Sequence, residues 1–355
     1  MLKKFVVVFL LAGALFSTCL YFMFSSTVTA EQGVVYYLRA GTSRQALSTE
    51  LSQQDIIRHP WIFSLYIHLN KKSSLKTGEY LFRKGATPYS IWRQVVNGTG
   101  HYYRAFTIIP GWSFAQLRRE LLITDTLKHN TQQLDNKQIM ALLGASNIDP
   151  EGEFFPETYY YTRDVPDLVI LKRAYDLMQL RLNEVWQRRQ PGLPYQSAYE
   201  VLIAASLVEK EAFLNSERKI IAGVLINRLR KNMLLQFDPT VIYGMGDRYH
   251  GKIHREDLRE DTSYNTYIHK GLPPTPISMP SQASLDAAVQ PAAHDYYYFV
   301  ARGDGGHQFS KTLPEHHIAV DTAIKQQAGP GTFNESAVQQ HIYRQLLANM
   351  QKVAA

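Results

Sequence analysis

Apolar residues along this chain first run unbroken, then recur in short bursts, then crowd a single helix. From Phe5 to Phe24, "FVVVFLLAGALFSTCLYFMF", 20 residues pass without a charge, directly after Lys3 and Lys4. A helix of about 20 such residues spans about 30 Å, the hydrocarbon thickness of a bilayer. Three later segments share one plan: "YYLRAGTSRQALSTEL", "EYLFRKGATPYSIWRQV" and "RAFTIIPGWSFAQLRREL". Each has a β-rich run, a glycine (Gly41, Gly85, Gly111), a small polar or turn residue, and an amphipathic helix. The glycine supplies the turn, and Thr42 or Ser113 is placed to cap the helix that follows. Their spacing of 44 and then 26 residues excludes a solenoid period. Residues 121–150 read as helical and polar, residues 167–189 as a long helix, and "QPGLPYQSAYE" as the turn into another. Beyond that helix, "LLQFDPTVIYGMGDRYHG" and "SYNTYIHKGLPPTPISMPS" are dense in turn chemistry. "YYYFVARGDGGHQFS" reads as a β-hairpin, and the stretch from "EHHIAVDTAIKQQ" onward as a polar helix. The pattern predicts an α+β protein: an N-terminal transmembrane helix within residues 1–30, small α/β units over 31–110, and a mixed α+β domain over 111–355.

The helix near residue 205 poses a problem of its own. "SLVEKEAF" sets Glu209 and Glu211 amid Leu202, Ile203, Ala204, Ala205, Leu207 and Val208. A buried carboxylate without a partner is costly, so such a group gains a partner or a raised pKa. The two glutamates lie about 200° apart around a helix and cannot act as a pair across one bond. Glu211 has Leu207, Val208 and Leu214 at helical offsets, whereas Glu209 has the smaller Ala205, Ser206 and Ala212, plus Phe213. The more apolar surroundings of Glu211 suit a carboxyl that keeps its proton at neutral pH. Upstream, "EGEFFPETYYYTRD" alternates aromatic residues with Glu151, Glu153 and Glu157 around Pro156. Flat faces beside acids suit sugar rings; they equally suit a core-packing loop. The 22 Tyr against 16 Phe tilt the chain towards a wet, polar groove.

Composition narrows the class. At 355 residues the chain has room for two domains and a sizeable core. Apolar content of 45% and charged content of 19% describe an ordinary globular protein. The net charge of +7 is spread out; "LRRELL" and "NRLRKN" read as solvated helix faces. No zinc-finger spacing or aromatic–basic module points to nucleic acid, and a mild attraction to acidic polymers or anionic headgroups is all the charge supports. Cys19, the single cysteine, excludes a disulfide framework and a thiol nucleophile in the soluble part. Twelve scattered histidines show no metal-ligand spacing. The lysines before the apolar run place the bulk of the chain outside the cytoplasm. Val28-Thr29-Ala30 would suit signal cleavage, but the run exceeds the roughly 7–15-residue signal core, so an uncleaved anchor is expected. A lipoprotein at Cys19 is opposed by Thr18, and a buried core helix is the remaining alternative.

Two resemblances add to this. The β-Gly-helix units resemble the LysM peptidoglycan-binding module, with plain strand–turn–helix units of an α+β domain as the alternative. More specifically, "EGEFFPETY", "ASLVEKEA", "GVLINRLRKNMLLQFDPTVIYGMG", "SYNTYIHKGLPPTPIS" and "YYYFVARGDGGHQFS" occur in order. Together, over roughly residues 35–325, they resemble the YceG-like family of endolytic murein transglycosylases. The resemblance implies a single-pass inner-membrane protein with a LysM-like part and a periplasmic catalytic domain. It implies cleavage of the β-1,4 MurNAc–GlcNAc bond within glycan strands, leaving 1,6-anhydroMurNAc ends and limiting nascent strand length. The family's catalytic glutamate falls on Glu211, with Glu209 in support. A protonated Glu211 would donate to the glycosidic oxygen and then take the proton of the C6 hydroxyl that closes the anhydro ring. Unlike an ordinary glycosidase, this needs neither a second carboxylate nor a positioned water, and no metal or cofactor.

Expected to line the groove are Glu151, Phe155, Glu157 and Tyr159 upstream of that helix. Downstream, Gln236, Asp238, Thr240, Tyr243, Tyr264, Asn265, Tyr267 and His307 are expected there, Asp238 as an N-cap or orienting residue. Turn structure alone is the alternative for the downstream set. Departures from the family fall at Pro110, where Glu is common, and at Thr275 and Ser281, where glycine is. Implied partners are glycan strands and the inner membrane, with peptidoglycan synthases as candidate protein partners and no nucleic acid. Two rival functions stand: a non-catalytic glycan-binding scaffold, and a water-using muramidase with Glu151, Glu153 or Glu157 as second carboxylate.

Overall fold

A computed structural model of the protein describes residues 2–70 and 74–327. They separate into two compact units: those up to Phe106 with Thr126–Lys128 and Tyr160–Val165, and Thr107–Asp125 with His129–Tyr159 and those from Pro166 to Gln327.

The first unit begins with α1 (Leu2–Phe24), followed by β1 (Val34–Leu38), α2 (Arg44–Gln53), α3 (Pro60–Leu69), β2 (Gly78–Phe82) and α4 (Pro88–Asn97). β1 and β2 pair antiparallel, Val34 opposite Phe82 and Leu38 opposite Gly78. The first two β-Gly-helix segments are therefore halves of one body, not separate units. Either strand alone would leave its backbone groups unpaired, and pairing across the intervening helices satisfies them. Ser43, not Thr42, caps α2, accepting from the Ala46 amide at 3.1 Å; a Thr87–Ser90 capping box opens α4. Tyr36, Leu38, Tyr80 and Phe82 of the sheet bury against Leu47, Leu51, Phe63, Ile67, Ile91 and Trp92.

The last turn of α1 belongs to this core. Met23 and Val28 are buried in it, Phe22 lies 4.0 Å from the His59 ring and Phe24 lies 4.8 Å from Tyr89. Hydrogen bonds of 2.9 Å run from the Thr27 amide to the Ala86 carbonyl and from the Gly85 amide to the Val28 carbonyl. Before that turn, nearly all of α1 is exposed, and Lys3–Phe24 is long and apolar enough to cross a membrane. Elsewhere in the unit the buried Glu79 meets Arg104 at 2.7 Å and Arg163 at 2.9 Å. Burial alone would raise its carboxyl, but the two arginines outweigh it and hold the group below the usual range.

Through β3 (Arg104–Thr107) the chain enters the second unit, which holds α5 (Phe114–Ile123) and α6 (Asn136–Leu142). β4 (Thr158–Tyr161) pairs with β3, and then come α7 (Asp167–Gln187), α8 (Ala198–Glu211), α9 (Arg218–Arg230) and α10 (Asp238–Met245). After a long loop, α11 (Gln282–Val289), the hairpin β5 (Tyr298–Ala301)–β6 (His307–Ser310) and α12 (Leu313–Gln327) follow. The expected helix across 121–150 is confined to the end of α5 and to α6. Between them the polar residues serve the backbone instead: Asp167 accepts from the Asn130 and Thr131 amides at 3.0 and 3.2 Å, and Asp135 with Gln138 forms a capping box. The helices expected over 167–189 and at "SLVEKEAF" form as α7 and α8; the polar helix after the hairpin runs to Gln327, and its continuation lies outside the described residues. Val201 through Val208 are all buried, with α7, α9, α10 and α11 packed around α8. The architecture is mixed α+β with one apolar N-terminal helix.

Candidate active site

The two glutamates of α8 meet different fates. Ser197 caps the helix start, and eight successive buried positions, Val201 through Val208, seat it in the core. Glu209 then emerges against the start of α11. Its Oε2 accepts from the Ser281 amide at 2.8 Å, the Ser281 hydroxyl at 2.5 Å and the Ser284 hydroxyl at 2.7 Å. Its Oε1 pairs with Arg218 at 3.2 Å, and Arg218 also donates to Ser284 at 2.6 Å and Asn215 at 2.9 Å. A carboxylate at the positive end of a helix, paired with a guanidinium, is a clasp joining α8, α9 and α11. Glu211, two residues on, closes α8 in the half-buried zone, over the buried Leu207 and Val208.

Facing that end is a stitched turn. "LLQFDPT" and "YNTYIHK" are held together by Thr240 and Thr266, whose hydroxyls lie 2.8 Å apart. Thr266 also accepts from the Phe237 amide at 3.0 Å, and its carbonyl from the Gln236 amide at 3.0 Å. Gln236 takes a left-handed backbone (φ 53°) to make this turn. Arg228, from the inner face of α9, fastens the turn to the hairpin. It donates to the carbonyls of Tyr297 (2.6 Å), Leu235 (2.5 Å) and Leu234 (3.2 Å), and lies over the Tyr298 ring at 5.3 Å. Burial lowers its pKa, opposed by the nearby Tyr298, Tyr267 and Glu211. Tyr267 donates to Asp238, and its phenol is raised by burial first, then by Asp238 and by Glu211, against Arg228. Tyr267 thus interacts electrostatically with Asp238, Glu211 and Arg228, and Arg228 with Glu211.

A second group forms around Glu151. Buried in the loop before β4, it accepts from the Phe114 amide at 3.1 Å and from the Tyr243 hydroxyl at 3.1 Å. Tyr243 meets Tyr264 edge-on at 4.7 Å, and the Tyr264 hydroxyl lies 2.9 Å from that of Thr275. Gly152 is required here: its φ is +79°, and a Cβ would stand 2.4 Å from Pro276. Burial pushes Glu151 up to about 7 despite the Phe114 and Tyr243 bonds, and burial pushes Glu153 up to about 7 despite a 2.6 Å bond from Gln179. Both sit above the ordinary 4.5, so the folded protein binds more protons than the unfolded chain between about pH 4.5 and 7. Their contribution is complete below that window and lost as pH rises through it. The slope of Tm between about pH 5 and pH 7.5 is expected to become more positive in a Glu151→Gln/Glu153→Gln double variant; an unchanged slope would refute the assignment.

Of the expected groove residues, Glu157, Gln236 and Asp238 are exposed, and Tyr243, Tyr264 and Tyr267 half-buried. The other six are buried. Glu151 is buried in the bonds just described, and Phe155 packs into the helical core. Tyr159 is buried and donates to the Phe155 carbonyl at 2.7 Å. Thr240 is consumed by the threonine stitch. Asn265 is buried, donating to the Leu258 and Glu260 carbonyls at 3.2 and 2.8 Å, so it shapes the loop from inside. His307 is buried with its ring nitrogen 2.7 Å from the buried Glu217. Asp238 opens α10 without capping it and instead orients Tyr267. Arg228, Thr266, Arg218 and Glu217 escaped the sequence reading. For Arg228 a signal existed: Val224 and Leu225 precede it by four and three residues, putting it on the inner face of α9 rather than the solvated one. Among the described residues no cluster of His, Cys, Asp or Glu could hold a metal ion.

This combination of fold and motif-bearing turns is that of the YceG-like family, to which the chain belongs: the family profile matches residues 36–322. The endolytic murein transglycosylase of Bacillus subtilis (strain 168) is 30% identical to it, over 80% of this chain and 83% of that protein. The endolytic murein transglycosylase of Streptococcus pneumoniae serotype 2 is 24% identical, over 89% of this chain and 64% of that longer protein. The crystal structure of a YceG-like protein from Listeria monocytogenes matches with a TM-score of 0.52 and 28% identity, covering 81% of this chain and 99% of that one.

Proposed function

We propose that this chain is an endolytic lytic transglycosylase of peptidoglycan, with Glu211 as its acid and base. The observation that carries the reading is the position of Glu211, which ends α8 half-buried two residues after the structural Glu209. Glu209 is committed to Arg218, Ser281 and Ser284, while Glu211 ends the helix within the field of Tyr267 and Arg228. Glu211 donates its proton to the glycosidic oxygen between MurNAc and GlcNAc as that bond breaks. The resulting carboxylate takes the proton of the C6 hydroxyl on the same MurNAc, whose oxygen closes on C1 to give the 1,6-anhydro end. The nucleophile is tethered to the reacting ring, which supplies much of the rate. Asp238 holds Tyr267 beside the site, and the exposed Gln236 and half-buried Tyr243 and Tyr264 offer polar and aromatic faces to sugars. Of the three candidate second carboxylates of a water-using enzyme, Glu151 and Glu153 are buried in hydrogen bonds to Phe114, Tyr243 and Gln179, and Glu157 is exposed and accepts from the Thr158 amide at 3.0 Å. Mass spectrometry of digested glycan strands tests the reading. Internal cuts with anhydro ends are expected; reducing ends would make the enzyme a hydrolase, and intact strands a scaffold.

The same reading places the protein in the inner membrane, single-pass, with both units in the periplasm, the first helping to hold glycan and the second shortening nascent strands. The support for an uncleaved anchor is local. Cleavage after Ala30 would strip Met23 and Val28 from the first unit's core and break the Thr27–Ala86 and Val28–Gly85 bonds. Intact-mass analysis of membrane-extracted protein is expected to give the full chain; a species beginning at Glu31 would end this claim.

A further inference from the structure

Helix α3 is apolar on both sides. Ile62, Phe63 and Ile67 point into the core of the first unit, as one face of a domain helix should. The opposite face, where polar residues belong, carries Trp61, Leu65 and Leu69, exposed by 57%, 53% and 75%. Steps of four residues set these three on one stripe, and "PWIFSLYIHL" contains no Asp, Glu, Lys or Arg. Outside α1, no other described helix presents three large exposed apolar side chains. A helix apolar all round requires apolar surroundings on both sides.

What lies beside α3 identifies those surroundings. Its start abuts the last turn of α1 through His59 and Phe22 at 4.0 Å. Farther along, Tyr66 meets Tyr89 at 6.1 Å, and Tyr89 meets Phe24 at 4.8 Å. Tyr21, Tyr66 and Tyr89 therefore gather where α1 leaves its apolar run, with Trp61 in the first turn of α3, and Trp and Tyr concentrate at the headgroup level of bilayers. A cavity of about 400 Å³ opens at the same place, lined in part by Phe22, Ser25, Ser26, Arg58 and His59. A guanidinium and hydroxyls beside aromatic rings match the phosphate-and-acyl boundary of a lipid leaflet.

We propose that the outer stripe of α3 is a second membrane contact, lying in the interfacial layer of the bilayer that α1 crosses. Trp61, Leu65 and Leu69 enter the headgroup–acyl boundary, and Arg58 meets phosphate beside them. The first unit is then fixed against the leaflet by two helices rather than hung from one. This rests on α1 being retained as a membrane span.

The test uses the full chain with Cys19→Ser, carrying one environment-sensitive fluorophore on Leu20→Cys, Leu65→Cys or Thr99→Cys. Thr99 is exposed beyond the far end of α4. Each is reconstituted in phosphatidylethanolamine–phosphatidylglycerol vesicles with and without lipids bearing a quencher near the headgroup. The labels at 20 and 65 are expected to lose a similar share of their emission, and the label at 99 to lose none. A Trp61→Ser/Leu69→Ser pair should bring the label at 65 to the behaviour of that at 99 with the circular dichroism unchanged. Quenching at 20 without quenching at 65 would overturn the proposal and leave the anchor standing. A blue-shifted but unquenched label at 65 would also overturn it, by showing that protein covers the stripe. No quenching at either 20 or 65 would refute the anchor itself.

Discussion

Glu211→Gln is expected to abolish cleavage of glycan strands while leaving Tm nearly unchanged. The substitution keeps the shape of the side chain at the half-buried end of α8 and removes its titrating proton. A general acid–base group contributes about 10²–10⁴-fold to rate. Here one carboxyl serves both proton transfers, so the loss should fall at or beyond the upper end of that range. Release of anhydro-ended fragments, quantified against the unmodified enzyme, measures it. Retention of a tenth of the activity would remove Glu211 from the chemistry.

The opposite profile is expected two residues earlier. Glu209→Ala leaves Arg218, whose side chain is only 11% exposed, without its carboxylate, and strands the hydroxyls of Ser281 and Ser284. Removing one partner of a buried pair costs about 3–5 kcal/mol. At roughly 2–4 °C per kcal/mol for a body of this size, Tm should fall on the order of 10 °C. Glu209→Gln, which retains an acceptor for Ser281, should lose less. Thermal unfolding of both variants decides the matter; a Tm within the error of the unmodified protein would mean that the clasp contributes nothing. If Glu209→Gln is inactive and Glu211→Gln active, the roles of the two faces are reversed.

The α8 helix was legible because its signals are local: a Ser197 cap, a continuous apolar run and two acids with different neighbours. The hairpin was legible for the same reason, since "GDGG" separates two aromatic strands. What escaped depends on distant partners. Nothing near "EYLFR" announces that β2 pairs with β1 across two helices, so one body looked like two units. His307 and Glu217 meet 90 positions apart, and a lone histidine on a strand carries no mark of that partner. The buried members of the expected groove, such as Asn265 and Thr240, are polar residues that satisfy backbone groups in turns, and composition cannot separate that use from sugar binding. Ser281 is instructive in another way: its hydroxyl both caps α11 and bonds Glu209.

The buried carboxylate of Glu79 has a consequence for how the protein is made. One of its two arginines, Arg104, is supplied soon after β2, but the other, Arg163, arrives only with the short return segment at Tyr160–Val165. That segment also brings Asp164, which accepts from Tyr37 on β1. During synthesis, then, the unit that is begun first cannot be finished first. β1 waits for β2, and Glu79, itself a residue of β2, waits for a partner more than eighty positions downstream. For that interval the nascent polypeptide holds an incompletely neutralised charge in a half-built core, while only part of the second unit, Thr107–Asp125 and His129–Tyr159, has been made. Early emergence and late completion thus fall on the same unit, and a fragment ended at residue 110, which lacks Arg163 and Asp164, would stop at that stage.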